Sequence, residues 1–132
     1  MATVTDEPPA PEQGADEVVL TLPPRPEFAR IARLAVTGLA ARLRFSYDDV
    51  EDVRVGIGEM CNILLESTGG SLVIRCALGR DAIRISAIRQ DLDSALDVTD
   101  LSRQILDAFL ADVHVDPSEG RIEATKRRSI EP

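Results

Sequence analysis

The chain has 132 residues, enough for one domain with a single hydrophobic core. Its hydrophobic content of 44% is ordinary but aromatics make up only 3%, so the core is expected to be Leu, Ile, Val and Ala. The net charge of −8 excludes a nucleic-acid binder that works by neutralising phosphates; it suits a domain that stays soluble or meets a basic partner.

Residues 1–16 carry Pro8, Pro9, Pro11 and Gly14 among Asp6, Glu7 and Glu12, too little apolar surface to offset ordering entropy. A disordered acidic tail is expected there, then one domain over 17–128 and a short tail over 129–132. Glu17 to Leu22 alternates with β-branched residues and reads as a strand. Pro23 and Pro24 end it, and Pro26 suits the first turn of a helix running to about Leu43. Phe28, Ile31, Ala35, Leu39 and Arg42, spaced by three and four, are expected on its inner stripe.

Ser46-Tyr47-Asp48-Asp49 has the form of a capping box, with acidic residues favourable at a helix start. The second helix is expected to reach about Glu66, with Val50, Val53, Ile57, Met60 and Leu64 inward. Gly56 and Gly58 weaken it by about 1 kcal/mol each relative to Ala and would permit a close approach. Thr68-Gly69-Gly70 ends that helix. Ser71 to Leu78 and Asp81 to Ile88 read as strands joined through Gly79-Arg80. A polar stretch, Gln90 to Thr99, precedes a third helix over Asp100 to Asp112, with Leu101, Ile105, Ala108 and Phe109 periodic. A turn at Pro117 to Gly120 leads into a closing strand, Arg121 to Lys126. Lys126-Arg127-Arg128 is expected to be a solvated basic end. This order indicates an α+β two-layer sandwich, with helices on one face of a mixed sheet.

Cys61 and Cys76 lie in apolar runs and read as isolated buried thiols. There is no CxxC, and His114 has no ligand-spaced companion, so no zinc-type site is expected. The N-terminus lacks the basic and apolar regions of a signal peptide, and no run reaches the length of a membrane span. A cytoplasmic protein without membrane or direct nucleic-acid contact is expected.

The element order and the segment PEFARIARLAVTGLAARLRFSYDDVEDVRVGIGE (residues 26–59) resemble the anti-sigma-factor/serine-kinase branch of the gyrase- and histidine-kinase-type ATPases, the Bergerat fold. ILDAFLADVHVD (105–116) is similar to that branch's last helix and the strand after it, and GRIEATKR (120–127) to its final strand. The resemblance covers most of Glu17 to Lys126 and implies the Bergerat-type sandwich, here with a shortened ATP lid.

It also implies three nucleotide features. A helix bears Glu and, four residues on, Asn, about 40° apart, so that both face the nucleotide. The Glu serves as base and the Asn holds magnesium. Glu59 fits the first position, but Ile63 stands at the second. Asn62 comes one residue early, rotated by about 100°, and would need a local bulge to serve as the magnesium ligand. An Asp-x-Gly-x-Gly turn should receive adenine; Gln90-Asp91-Leu92-Asp93-Ser94 offers Asp91 after a one-residue slip, with Gln90 beside it, and no glycine. A glycine-containing lid should precede the last helix; about ten residues stand there instead, bearing Asp91, Asp93 and Asp97 ahead of Asp100. Carboxylates crowding that helix start would repel a triphosphate unless a divalent cation intervened. The catalytic and cofactor set is thus Glu59, Asn62 and Asp91, with ATP and magnesium implied only through them.

The resemblance further implies that the first helix docks sigma factors and STAS-domain antagonists, and that family members often pair as homodimers. The partner-contacting Arg in a Phe-Ala-Arg context corresponds to Arg30. Arg30 and Arg33 are expected off the apolar stripe, where a guanidinium fork suits a partner carboxylate. The expectation is an anti-sigma-like regulator that works by protein binding with a degenerate ATP site. The alternative is an ATP-dependent serine kinase acting on a STAS partner, with Glu59 as base.

Overall fold

Alternating side chains place Asp16–Leu22 as strand β1, whose terminal Leu22 is buried while Val18 and Val19 stay exposed on the sheet edge. A computed structural model describes residues 16–65 and 70–130. The expected acidic tail before Asp16 and the Thr68-Gly69 helix stop lie outside the described residues. Pro26–Phe28 forms a 3-10 turn, with Pro in the first turn where its missing N–H costs nothing. Helix α1 then spans Ala29–Arg42.

Helix α1 ends in a Schellman arrangement. Phe45 N donates to Ala40 O (3.1 Å) and Arg44 N to Ala41 O (3.0 Å), with Arg44 in the left-handed region at φ 64°. Helix α2, Tyr47–Leu64, starts where the capping box predicts, and the Ser46 hydroxyl accepts from Asp49 N at 3.1 Å. Val53, Ile57, Met60 and Leu64 are fully buried and Val50 half-buried, the predicted inner face. Gly56 is a close approach: a Cβ there would lie 2.5 Å from Leu110 Cδ1.

The inner stripe of α1 corrects the expectation in part: Phe28 and Leu39 pack half-buried against the core as predicted and Ala35 is half-buried, but Ile31 and Arg42 face outward. Ala32, Val36, Thr37 and Ala40 are the buried residues, whereas Ile31 is 45% and Leu34 58% exposed, and Arg42 is exposed to solvent. Small Ala32 and Ala40 are fully buried, whereas the larger Ile31 and Leu34 turn outward. Leu101 of α3 (Asp100–Phe109) is likewise 65% exposed and Ala108 exposed, while Leu106 is buried. That helix stops at Phe109, three residues short of the prediction, because Leu110 turns extended and strand β4, Ala111–Asp116, begins at once. A bulge between Ala111 and His114, with Asp112 at φ 51°, absorbs the change.

Strands β2 (Leu72–Leu78) and β3 (Ala82–Arg89) form the predicted hairpin. Gly79 N donates to Ala82 O at 2.9 Å, so the two turn residues are Arg80-Asp81, one place beyond the expected pair. With β5 (Arg121–Arg127), the sheet order is β1-β2-β3-β5-β4. Every pair is antiparallel rather than mixed. The crossover through α3 does return β4 in the direction of β3, but β5 inserts between them. The α+β sandwich stands. Leu72, Ile74, Cys76, Ile83, Ile85, Ala87, Ile122 and Ala124 are buried at the alternate positions that face the helices. The opposite face carries Arg84, whose guanidinium donates to Glu123 (3.1 Å) and Thr125 (3.0 Å).

Lys126 and Arg128 are not a solvated end. Lys126 Nζ sits 2.7 Å from Asp52 Oδ2 and 3.4 Å from Asp49 Oδ1. Arg128 stacks 4.5 Å over Phe45 and donates to the carbonyls of Leu43, Arg44 and Arg80 at 2.8 Å each. Ser129 donates to Asp49 Oδ2 through both its N–H and its hydroxyl at 2.9 Å. The polar ends of α1 and α2 recruit these groups: exposed carbonyls and a buried first-turn carboxylate require donors.

Candidate functional site

The second half of α2 and the start of α3 flank an open cleft of about 590 Å³, also lined by Pro26 and Ala29. Glu59 and Asn62 both line it, so the structure brings these two predicted residues to one place. Ile63, at the position where the pattern asks for Asn, is buried in the core. The helix runs unbroken through Asn62, which is exposed, so no bulge rotates it into the required direction.

Glu59 has an immediate partner. Ser102 Oγ donates to Glu59 Oε2 at 2.6 Å, tying α2 to the first turn of α3. Thr99 caps that turn, its hydroxyl accepting from Ser102 N at 3.0 Å. Sequence reasoning missed Ser102; its only signal is its place three residues after a capping Thr. Among the described residues, the cleft lining includes the carboxylates of Glu59 and Asp97 and no Lys or Arg.

Asp91 is elsewhere. It is exposed, at φ 58°, and lines a separate groove of about 410 Å³ with Gln90, Leu92, Ser118 and Glu119. Two anchors hold the Asp91 end of the loop away from the first cleft, which its far end, Asp97 and Thr99, helps to line. Gln90 N donates to Ser71 O (2.9 Å) and Ser71 Oγ to Gln90 Oε1 (3.0 Å), which engages the glutamine beside Asp91. Further on, Leu96 is buried and its N–H reaches Pro117 O at 3.0 Å. Asp93, Asp97 and Asp100 are exposed, and among the described residues no three His, Cys, Asp or Glu side chains converge to hold a metal.

Cys61 and Cys76 are both free and buried. Burial pushes the Cys61 thiol up to about 11, against a smaller lowering by Arg33, and burial followed by Glu17 pushes Cys76 up to about 12. Neither forms appreciable thiolate at neutral pH. Aromatic-disulfide titration at pH 8 is expected to detect two thiols in denaturant and almost none within minutes in native buffer.

The outer face of α1 is chemically distinct from the rest of the domain. Residues 28–46 contain Arg30, Arg33, Arg42 and Arg44 and no acidic residue, in a chain of net charge −8. Arg30 is exposed; Arg33 is half-buried, its Cδ 3.4 Å from where a Cβ on Gly58 would stand. Arg30, Leu34 and Ile31 follow one another within about 100° of the helix circumference. The two predicted arginines therefore flank apolar side chains that are exposed, although the helical period alone favours Ile31 for the core.

No helix among the described residues is long and apolar enough to cross a membrane. The chain matches no family model. It is 25% identical over 100 residues to serine-protein kinase RsbW of Bacillus licheniformis, covering 71% of this chain and 61% of that protein. It is 28% identical over 121 residues to the protein of that name from Halalkalibacterium halodurans, covering 79% and 75%. For the Bacillus subtilis protein the identity is 30% over 79 residues, covering 56% and 49%. The chain thus spans between about half and three quarters of these relatives' length. The fold is shared with a crystal structure of the RsbU and RsbW domains of a Mycobacterium tuberculosis protein, at TM-score 0.65 and 19% identity over 84% of this chain and 31% of that one. In sequence this chain is similar to the serine-protein kinases named RsbW, and in fold to an RsbW-containing structure.

Proposed function

We propose that this protein is an anti-sigma-like regulator that acts by binding a protein partner, a sigma factor or a STAS-domain antagonist, without using ATP. The observation that carries this reading is the outer face of α1: Ile31 and Leu34 exposed beside Arg30 and Arg33 on a helix without acids. Such a face suits a partner with an apolar stripe edged by carboxylates, the apolar contact giving affinity and the charges register. Similarity to proteins named as serine-protein kinases supports the lineage.

Leu34→Glu and Arg30→Glu test it. Both side chains are exposed, so neither change should move the melting temperature by more than about 2 °C. Each is expected to weaken partner binding by roughly 30-fold, the loss of one central interface residue. Calorimetric titration against sigma factors and STAS-domain proteins of the source organism reads this out. Unchanged affinity in both variants removes α1 from the interface.

The kinase reading is the second, favoured by Glu59 and Asn62 sharing one cleft. It requires magnesium-dependent phosphate transfer to a STAS protein, abolished by Glu59→Gln.

A further inference from the structure

We infer that Glu59 is a positioning residue that locks α3 onto α2 through Ser102, and that this lock stands in the place of a nucleotide contact, in a cleft whose lining excludes triphosphates. The carboxylate on the helix that would serve an ATPase is already engaged by the Ser102 hydroxyl at 2.6 Å. A short hydrogen bond to an ionised acceptor is among the stronger polar contacts. Glu59 and Ser102 are 43 residues apart in sequence and both only partly exposed, so the bond fixes tertiary structure rather than a local turn.

The surroundings point the same way. Among the described residues, the cleft lining offers Glu59 and Asp97 and no basic side chain to a triphosphate. Asp91, the candidate for adenine, opens into a different groove. The loop that would close over phosphates is instead anchored at Leu96, and it delivers Thr99 as the cap that sets Ser102 against Glu59. A lid that must open and shut needs weak attachment at its ends. Here the loop ends in a capped, cross-linked helix start.

The test is a double-mutant cycle on the full chain with Glu59→Met and Ser102→Ala. Methionine keeps the unbranched stem and helix propensity but removes the acceptor. Each single variant is expected to lower the melting temperature by about 5 °C, and the double variant to lie no lower than the worse single one. Amide exchange in the first turn of α3 should accelerate roughly tenfold in each variant, and Ser102→Thr, which retains the hydroxyl, should restore protection. Calorimetry with Mg-ATP should detect no binding up to millimolar concentration in any form. Additive single effects, or unchanged α3 exchange, would overturn the lock. Micromolar Mg-ATP binding to the wild-type chain, weakened by Glu59→Met, would overturn the exclusion and restore Glu59 to a nucleotide site. Partner binding through α1 is measured separately, so failure of one proposal leaves the other distinguishable.

Discussion

Replacing Lys126 by methionine is expected to lower the unfolding free energy by about 3 kcal/mol, a fall in melting temperature of about 10 °C for a domain of this size. The lysine side chain is only 14% exposed and its ammonium lies between Asp52 and Asp49, the latter carboxylate almost fully buried. Methionine fills the same stem volume, so little packing is lost. What it removes is the cation, leaving Asp49 buried with, among the described residues, Ser129 and the start of α2 to solvate it. Breaking one side of a buried pair costs far more than the pair contributes net, because an uncompensated charge remains. The double variant Lys126→Met with Asp49→Asn should therefore recover part of the loss. Urea unfolding of the three variants reads this directly, and a Lys126→Met loss under about 1 kcal/mol would show that water screens the pair.

The same cluster sets acid sensitivity. Burial by itself would raise the Asp49 carboxyl, but the Ser129 N–H, the Ser129 hydroxyl and the Lys126 ammonium outweigh it and hold the group below its usual range. A folded value below the unfolded one, about 3.9, gives stability that is complete above that value and lost as pH falls through the folded one. Wild-type stability should accordingly fall more steeply below about pH 4 than that of Asp49→Asn.

Much of the fold is legible in the sequence because strong local signals agree. The Ser46 cap, the period of Val53, Ile57, Met60 and Leu64, and the β2–β3 hairpin each describe a segment whose backbone and burial demand the same answer. Helix α1 is different. Apolar residues occur on more than one face of it, and periodicity weighs Ile31 above Ala32, whereas Ala32 is fully buried and Ile31 turns outward. The candidate site divides along a similar line. Glu59 and Asn62 share one helix, so their common placement follows from spacing. Asp91 depends on the path of a loop, and that path is decided by Leu96 entering the core and by Pro117 accepting its N–H, contacts with no local signature. Buried Arg89 is similar: it ends β3 and donates to Leu64 O at 2.5 Å, satisfying the last turn of α2, a contact with no local signature. The C-terminal basic run reads as solvated for the same reason. Acceptors for Lys126 and Arg128 include Asp52, Arg44 and Leu43, between 74 and 85 positions away in sequence.

Two glycines should respond to alanine with opposite signs. Gly120 holds φ at +67° between the β4–β5 turn and β5, and a Cβ there would stand 2.7 Å from Arg89 O and 2.6 Å from Leu92 Cδ1. Its carbonyl accepts from Arg89 N at 2.8 Å, so the backbone cannot swing away without opening the end of the β3–β5 pairing beside the loop that carries Asp91. Left-handed backbone costs a side-chain-bearing residue about 1–2 kcal/mol, and forced overpacking typically adds about 1–3 kcal/mol. Gly120→Ala should thus destabilise by about 3 kcal/mol and lower the melting temperature by about 10 °C. Gly38, in the exposed middle of α1, has open space where a Cβ would stand, with nothing within 4 Å, and ordinary helical backbone. There Ala gains helix propensity and narrows the unfolded ensemble, so Gly38→Ala should stabilise by about 1 kcal/mol. Thermal unfolding of the pair separates the two causes: equal shifts would mean chain entropy alone governs both sites, whereas opposite signs locate the strain at the β3–β5 junction, where the loop anchored by Leu96 leaves the sheet.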